Sequence, residues 1–194
     1  LFPYGKLNKE GSEDAKLVIN RLKIPRKNVR ELKIEALVDP LINLDPGMDK
    51  LRKGNIAVRM RMILLYDLAK KYNALVLGTE NKTEYLLGYF TRFGDEASDI
   101  EPIRHLYKTQ VRQMVKYLGV PDKIIDKPPT AGMWLGQTDE GEFGFSYEDA
   151  DQILHLLIDQ KKSRGQIVEC GFNKNRVEKV LSRVKANEFK HKPP

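Results

Sequence analysis

A single cysteine, Cys170, occurs in the 194 residues. That count excludes a disulfide framework within the chain and fits a reducing compartment, so a cytoplasmic location is expected. Cys170 has no candidate catalytic base near it in sequence and is expected to be structural. No apolar run approaches the roughly 20 residues that span a bilayer. No charged-then-apolar leader opens the sequence. His105 and His155 offer no metal-ligand spacing, and no internal repeat or low-complexity tract is present.

What is present is ordinary for a globular domain: 41% hydrophobic and 31% charged residues, in a chain long enough for one proper core. The net charge of +7 is uneven, because Gln160 to Pro194 holds ten Lys and Arg against three Glu, while the preceding 159 residues balance. A basic end of this kind can meet phosphates, whether of a dinucleotide or of nucleic acid.

Periodicity places a helix over Gly11 to Leu22, with Ser12 as cap, and a short strand over Asn28 to Ile34. A helix or turn limited by Pro40 follows, then a loop over Asn43 to Lys53 and a long helix from Asn55 to about Tyr72. The run Ala74-Leu75-Val76-Leu77 reads as a buried parallel strand ending at Gly78-Thr79. Helices are expected from about Thr83 to Leu87 and over Tyr107 to Leu118, with a short extended piece near Ile100 to Ile103. Asp126 to Gly144 is too long and polar to be a simple connector. From about residue 146 the chain reads as helical and basic: a helix capped by Ser146, then two short helices separated by Cys170-Gly171-Phe172-Asn173. Strands alternating with helices argue for an α/β fold with a mostly parallel sheet, in one domain over 1–194.

Ligands in such sheets gather at the carboxyl ends of strands, and the residues after Leu77 suit nucleotide chemistry. Thr79 supplies a hydroxyl, Glu84 an acid on a following helix, Arg92 a cation among aromatics, and Asp99 an acid before an apolar pair. Taken singly, a threonine after a strand is a turn residue, a glutamate in a first helical turn is a dipole partner, and an acid in a loop is a cap. Lys108 near a helix start opposes the dipole, which points to a nearby anion.

The stretches GNIAVRMRM (Gly54 to Met62), VLGTENKTE (Val76 to Glu84), YFTRFGDEASDIEPI (Tyr89 to Ile103), LYKT (Leu106 to Thr109), KPPTAGMWLGQTDEGEFGFSY (Lys127 to Tyr147) and FKHKPP (Phe189 to Pro194) occur in the order found in the ammonia-dependent NAD synthetases. The chain resembles that family, within the PP-loop ATP pyrophosphatases, over most of its length. The resemblance implies a Rossmann-like, three-layer fold of the adenine nucleotide alpha hydrolase kind. It implies a carbon–nitrogen ligase that amidates deamido-NAD with ammonia, using ATP and Mg²⁺ and passing through an adenylated carboxylate. Residue by residue, it implies deamido-NAD contacts at Arg59, Arg92, Asp99, His191 and Lys192, ATP contacts at Thr79, Lys108 and Thr130, and a magnesium ligand at Glu84. Arg92 stands where the family often has lysine. Asn81 and Lys82 are expected to support these groups, Phe90 and Phe93 to stack on a ring or fill the core, and the loop from Pro128 to Gly144 to cover the site. A homodimer is implied, with the Asn55 to Tyr72 helix near its interface.

The glycine- and serine-rich phosphate loop of the superfamily, SGGxDS, is not found in these residues. The expectation is therefore a chain without the first strand, that loop and its helix. A relative that binds the dinucleotide without turning it over is the alternative. The synthetase half of a glutamine-dependent enzyme is another; no glutaminase segment is visible, so external ammonia is the simpler nitrogen source. A rival of a different class takes Ser163 to Val184 as a helix-turn-helix binding nucleic acid through Lys174, Arg176, Lys179 and Arg183. The segment offers no clear base-reading set, so nucleic acid is not the expected partner, and neither is a membrane.

Overall fold

The computed structural model describes residues 1–192. Among them the chain forms α1 (Lys9–Arg21), α2 (Glu35–Ile42), α3 (Lys50–Tyr72), α4 (Lys82–Leu87), α5 (Lys108–Tyr117), α6 (Asp122–Ile125), α7 (Asp139–Phe143), α8 (Tyr147–Leu154), α9 (Arg164–Glu169) and α10 (Lys174–Asn187). A π turn, His155–Asp159, continues α8, and a 3₁₀ turn, Glu188–His191, follows α10. No described helix is long and apolar enough to cross a membrane.

Extended pairing is sparse. One parallel bridge joins Leu77 and Ile100, supported by Gly78 N donating to Ile100 O at 2.8 Å and Asp99 N to Val76 O at 2.9 Å. A second parallel-type contact forms where Leu32 N donates to Leu1 O and Ile34 N to Pro3 O. Pro3 has no N–H to return a bond, so no ladder propagates there. The expected strand over Asn28 to Ile34 is thus a 3₁₀ turn, Arg26–Asn28, followed by an extended piece. The strand at Ala74 to Leu77 was expected to be buried on both faces. Instead Val76 is 7% exposed, while Leu75 and Leu77 are 65% and 63% exposed. Side chains alternate along an extended run, so Val76 turns inward while the face carrying Leu75 and Leu77 meets no described layer.

Local chemistry explains the helix boundaries. Asp49 accepts from Arg52 N at 2.8 Å and starts α3 inside what reads as loop, and Asn73 in the left-handed region ends it. Helix α1 begins at Lys9, so Ser12 lies inside it rather than capping it. Asn8, at the cap position, instead accepts from Tyr4 N and from Arg61 Nη2. Ser146 caps α8 as expected, and Asn173 caps α10 by accepting from Asn175 N and Arg176 N.

Among the described residues, two apolar clusters organise the chain. Ile34, Val38 and Ala57 join α2 to α3. A larger one gathers Leu87, Tyr107, Phe143, Phe145, Tyr147, Ile153, Leu154, Ile167, Val177 and Val180. In α8 the apolar positions Ala150, Ile153 and Leu154 recur at helical spacing, so one face is buried. Burying each large side chain contributes about 1.5–3 kcal/mol before entropy is counted. This second cluster forms the base on which α4 and α5 stand.

Candidate active site

The site is built from the turn after Leu77. Gly78 is buried there, and the Glu101 carboxylate occupies the place a Cβ would take. Glu101 accepts from Glu80 N at 3.2 Å and from Ser98 Oγ at 2.6 Å, which fixes the turn. Helix α4 then opens with a capping box: Asn81 Oδ1 accepts from Glu84 N at 3.0 Å, and Glu84 Oε2 accepts from Asn81 N at 3.1 Å. The other oxygen, Glu84 Oε1, accepts from Lys108 Nζ at 2.8 Å. Lys108 is the first residue of α5, and its ammonium also stands 5.1 Å from the Tyr147 ring centre.

Two buried carboxylates support this pair. Asp151, on α8, accepts from Thr83 Oγ1 at 2.5 Å and from Thr109 N at 2.8 Å, while Thr83 Oγ1 accepts from Lys108 N at 2.9 Å. Asp139 accepts from the hydroxyls of Tyr89 and Tyr147 at 2.9 and 2.8 Å. Burial, together with the nearby Glu84 and Asp139 charges, pushes the Tyr147 hydroxyl upward, so it remains a donor. Glu80, between Thr79 and Asn81, is 5% exposed at its side chain and pairs with Arg104 at 2.5 Å. Burial outweighs that partner and lifts the Glu80 carboxyl to about 7.

Of these groups, Glu80, Glu84, Tyr89, Lys108 and Asp139 line a cleft of about 800 Å³, within the size range of small-molecule sites. Thr79, Glu84, Lys108 and Thr130 all line it, so the expected ATP and metal residues come together. The segment Pro128 to Asp139 forms one wall, held by Asp139 N donating to Pro129 O at 3.0 Å and Met133 N to Gln137 Oε1 at 2.7 Å. Lys127 pairs with Asp14 at 2.9 Å and ties that wall to α1. Thr130 Oγ1 accepts from Gly132 N at 3.1 Å, the turn role its type permits anywhere.

The expected dinucleotide residues form a second group. Arg59 Nε and Nη2 donate to Arg92 O at 3.3 and 3.2 Å, and Arg92 Nη2 donates to Lys192 O at 2.6 Å. His191 Nε2 lies 2.6 Å from Tyr85 O. Lys190 donates to Gly88 O and Phe90 O at 2.6 and 2.8 Å, tying the tail to the end of α4. Asp99 stands apart from both groups, accepting from Val76 N at 2.7 Å. The loop from Thr91 to Asp95 connects the groups: Asp95 lines the cleft, and Arg92 meets the tail. Of the two aromatics, Phe90 is buried beside Tyr85 and His191, while Phe93 is 51% exposed.

The NAD synthase family model matches residues 1–194. The chain belongs to the NAD synthase family. Within the family it is 40% identical over 194 residues to an NH(3)-dependent NAD(+) synthetase of Fusobacterium nucleatum, covering 100% of this chain and 74% of that protein. It is 46% identical over 184 residues to one of Thermococcus sibiricus, covering 94% and 71%. Among solved NAD synthase-like structures, an NMN synthetase from Francisella tularensis superimposes with a TM-score of 0.83 at 33% identity, covering 100% of this chain and 75% of that one. The NH3-dependent NAD synthetase of Campylobacter jejuni gives 0.81 at 31%, with the same coverage.

Three residues of this family member escape a reading of the sequence alone, Glu80, Asp151 and Lys190, while Asp139, readable as a closure contact of its loop, instead holds two tyrosine hydroxyls. Asp151 and Asp139 act across 42 and 50 residues, on Thr109 and Tyr89, and no local pattern reports such contacts. Lys190 had a signal, its place in the tail FKHKPP next to His191.

Proposed function

We propose that the chain makes NAD by amidating deamido-NAD with ammonia at the expense of ATP, releasing AMP and pyrophosphate. The observation that carries this reading is the convergence of Thr79, Glu84, Lys108 and Thr130 on one cleft, with the dinucleotide group reached through the Thr91 to Asp95 loop.

A carboxylate is a poor electrophile because an attacking amine must displace oxide. Adenylation solves this: a nicotinate oxygen forms a bond to the α-phosphorus, pyrophosphate leaves, and ammonia then displaces AMP from the acyl carbon. Bringing an anion to a polyphosphate requires local cations. Lys108, held at the start of α5, supplies one, with Thr79 and Thr130 as hydroxyl partners along the cleft. Among the described residues no three acids or histidines are placed to hold a metal by themselves. Magnesium, however, binds through one or two carboxylates plus substrate phosphates. Glu84 fits that donor set and would hold the ion, which would supply positive charge to offset the polyphosphate. The Pro128 to Gly144 segment keeps water from a hydrolysable adenylate.

Arg59, Arg92, Asp99, His191 and Lys192 are assigned to deamido-NAD. Arg92 offers a planar fork where relatives often have a point charge. A three-layer, mostly parallel sheet, a single domain, a homodimer and a cytoplasmic setting belong to the same reading. The parallel bridge at Leu77 and Ile100 supports the first of these. The likeness to an NMN synthetase favours a second reading, in which the substrate is the deamidated mononucleotide.

A calorimetric titration separates the two. Deamido-NAD is expected to bind saturably, and roughly tenfold more weakly after Arg59→Ala, from loss of one charged hydrogen-bonding group. NAD should bind less tightly. Equal affinity for the mononucleotide would favour the second reading, and no dinucleotide binding by folded protein would contradict the first.

A further inference from the structure

The start of α4 carries Glu84 and the start of α5 carries Lys108, and the same two helix starts are gripped twice from α8 and its π turn. Asp151 reaches Thr83 Oγ1 on α4 at 2.5 Å and Thr109 N on α5 at 2.8 Å. Eight residues later, Asp159 reaches Lys82 Nζ on α4 at 2.6 Å and the hydroxyl of Tyr107, the cap residue of α5, at 2.9 Å. Each carboxylate therefore bridges one residue of α4 to one of α5, at neighbouring positions.

Uninterrupted α geometry would not set both acids on one face. Eight residues turn through about 800°, which leaves the second side chain about 80° away from the first around the helix. The π turn takes up the difference. Gln160 N donates to His155 O at 3.0 Å, the five-residue bond that fits an extra residue into one turn. Asp159 is thereby returned to the face that Asp151 occupies. His155 Nδ1 lies 2.9 Å from Asp159 Oδ2 and steadies the carboxylate from the same turn.

We propose that Asp151 and Asp159, brought to one face by the π turn, are positioning residues that set the separation of Glu84 and Lys108 for the nucleotide. The proposal rests on the synthetase reading of the cleft. Neither acid lines the cleft, so neither touches substrate; they act through Thr83, Lys82 and Tyr107. Asp159 adds a charge pair with Lys82, whose ammonium also covers the Tyr107 ring at 4.4 Å, so the two helix starts are tied by both a salt bridge and an aromatic face.

The test uses Asp159→Asn, which removes the charge at a partly exposed site, and the pair Thr83→Val and Thr83→Ser. In steady-state assays of the full-length protein, Asp159→Asn and Thr83→Val are expected to raise KM for ATP roughly tenfold, as loss of a charged or buried hydrogen bond implies. KM for deamido-NAD should stay within about twofold, and Thr83→Ser should restore the ATP value by keeping the hydroxyl. A merely structural role would move both KM values together, or neither, and either result overturns the proposal. Amide exchange at Lys108 and Thr109, followed in the same variants, does not depend on turnover. Wild-type protein that forms no NAD would defeat the synthetase reading, while unchanged exchange in Thr83→Val and Asp159→Asn would defeat the brace itself.

Discussion

Lys108 Nζ donates to Glu84 Oε1 at 2.8 Å while the other oxygen of the same carboxylate accepts from Asn81 N and closes the cap of α4. One side chain thus holds a helix start and a cation at once. On the proposed synthetase reading, a polyphosphate in the cleft would compete with Glu84 for Lys108, leaving the Glu84 carboxylate available to a divalent cation. The pair is one-fifth exposed or less on both sides, so such an exchange would meet little water to blunt the charges.

Glu84→Gln and Glu84→Ala should therefore differ. Glutamine keeps the reciprocal cap, so Glu84→Gln is expected to melt near the wild-type temperature and to lose Mg²⁺-dependent turnover by at least about 100-fold, as removal of a principal electrostatic group does. Alanine also breaks the cap and should cost about 1 kcal/mol more in urea unfolding. Near-normal turnover of Glu84→Gln would remove Glu84 from the metal site.

The tail contact gives a second prediction. Gly88 adopts φ +61° at the end of α4, and the Asn187 side chain fills the space a Cβ would need. Gly88→Ala should destabilise the protein by about 1–3 kcal/mol, through left-handed strain and the clash with the tail helix. Lys190→Met keeps the aliphatic stem but removes the bonds to Gly88 O and Phe90 O. It is expected to raise KM for deamido-NAD several-fold with little change in KM for ATP.

A third prediction concerns pH. Burial raises the Glu80 carboxyl to about 7, above the roughly 4.3 of an unfolded chain. Below about pH 4 the acid is protonated in both states, and between there and about pH 7 only the unfolded chain has released its proton. Stability from this group accordingly falls as pH rises through that window, and the loss is complete above it. Asp159 works in the opposite sense: Lys82 holds it near 2, so its contribution is present above about pH 4 and lost as pH falls through about 2. Comparing Glu80→Gln with wild type cancels every other group. The variant should gain about 2 kcal/mol on wild type between pH 5 and pH 8 in urea unfolding. A flat difference would show that Glu80 ionises normally.

Much of this was legible in the residues. The capped helix at Ser146, the helix pair around Cys170 to Asn173, and the gathering of Thr79, Glu84, Lys108 and Thr130 follow from caps, periodicity and motif order. What was hidden is non-local. Asp151 on Thr83, Asp139 on two tyrosines and the π turn that aims Asp159 depend on how α8 packs under α4 and α5, which periodicity does not encode. The apolar run at Leu75 to Leu77 misled in the other direction, because a strand sequence says which residues suit a sheet and not how many neighbours cover it.

An adenylated carboxylate must pass one of its oxygens to AMP, and isotope transfer reads that step. Deamido-NAD labelled with ¹⁸O in its nicotinate carboxylate is incubated with the full-length protein, ATP, Mg²⁺ and ammonium, and the products are weighed by mass spectrometry. One labelled oxygen should appear in the phosphate of AMP and one should remain in the carboxamide of NAD. Label in inorganic phosphate alongside ADP, or NAD formed with unlabelled AMP, would rule out the adenylate.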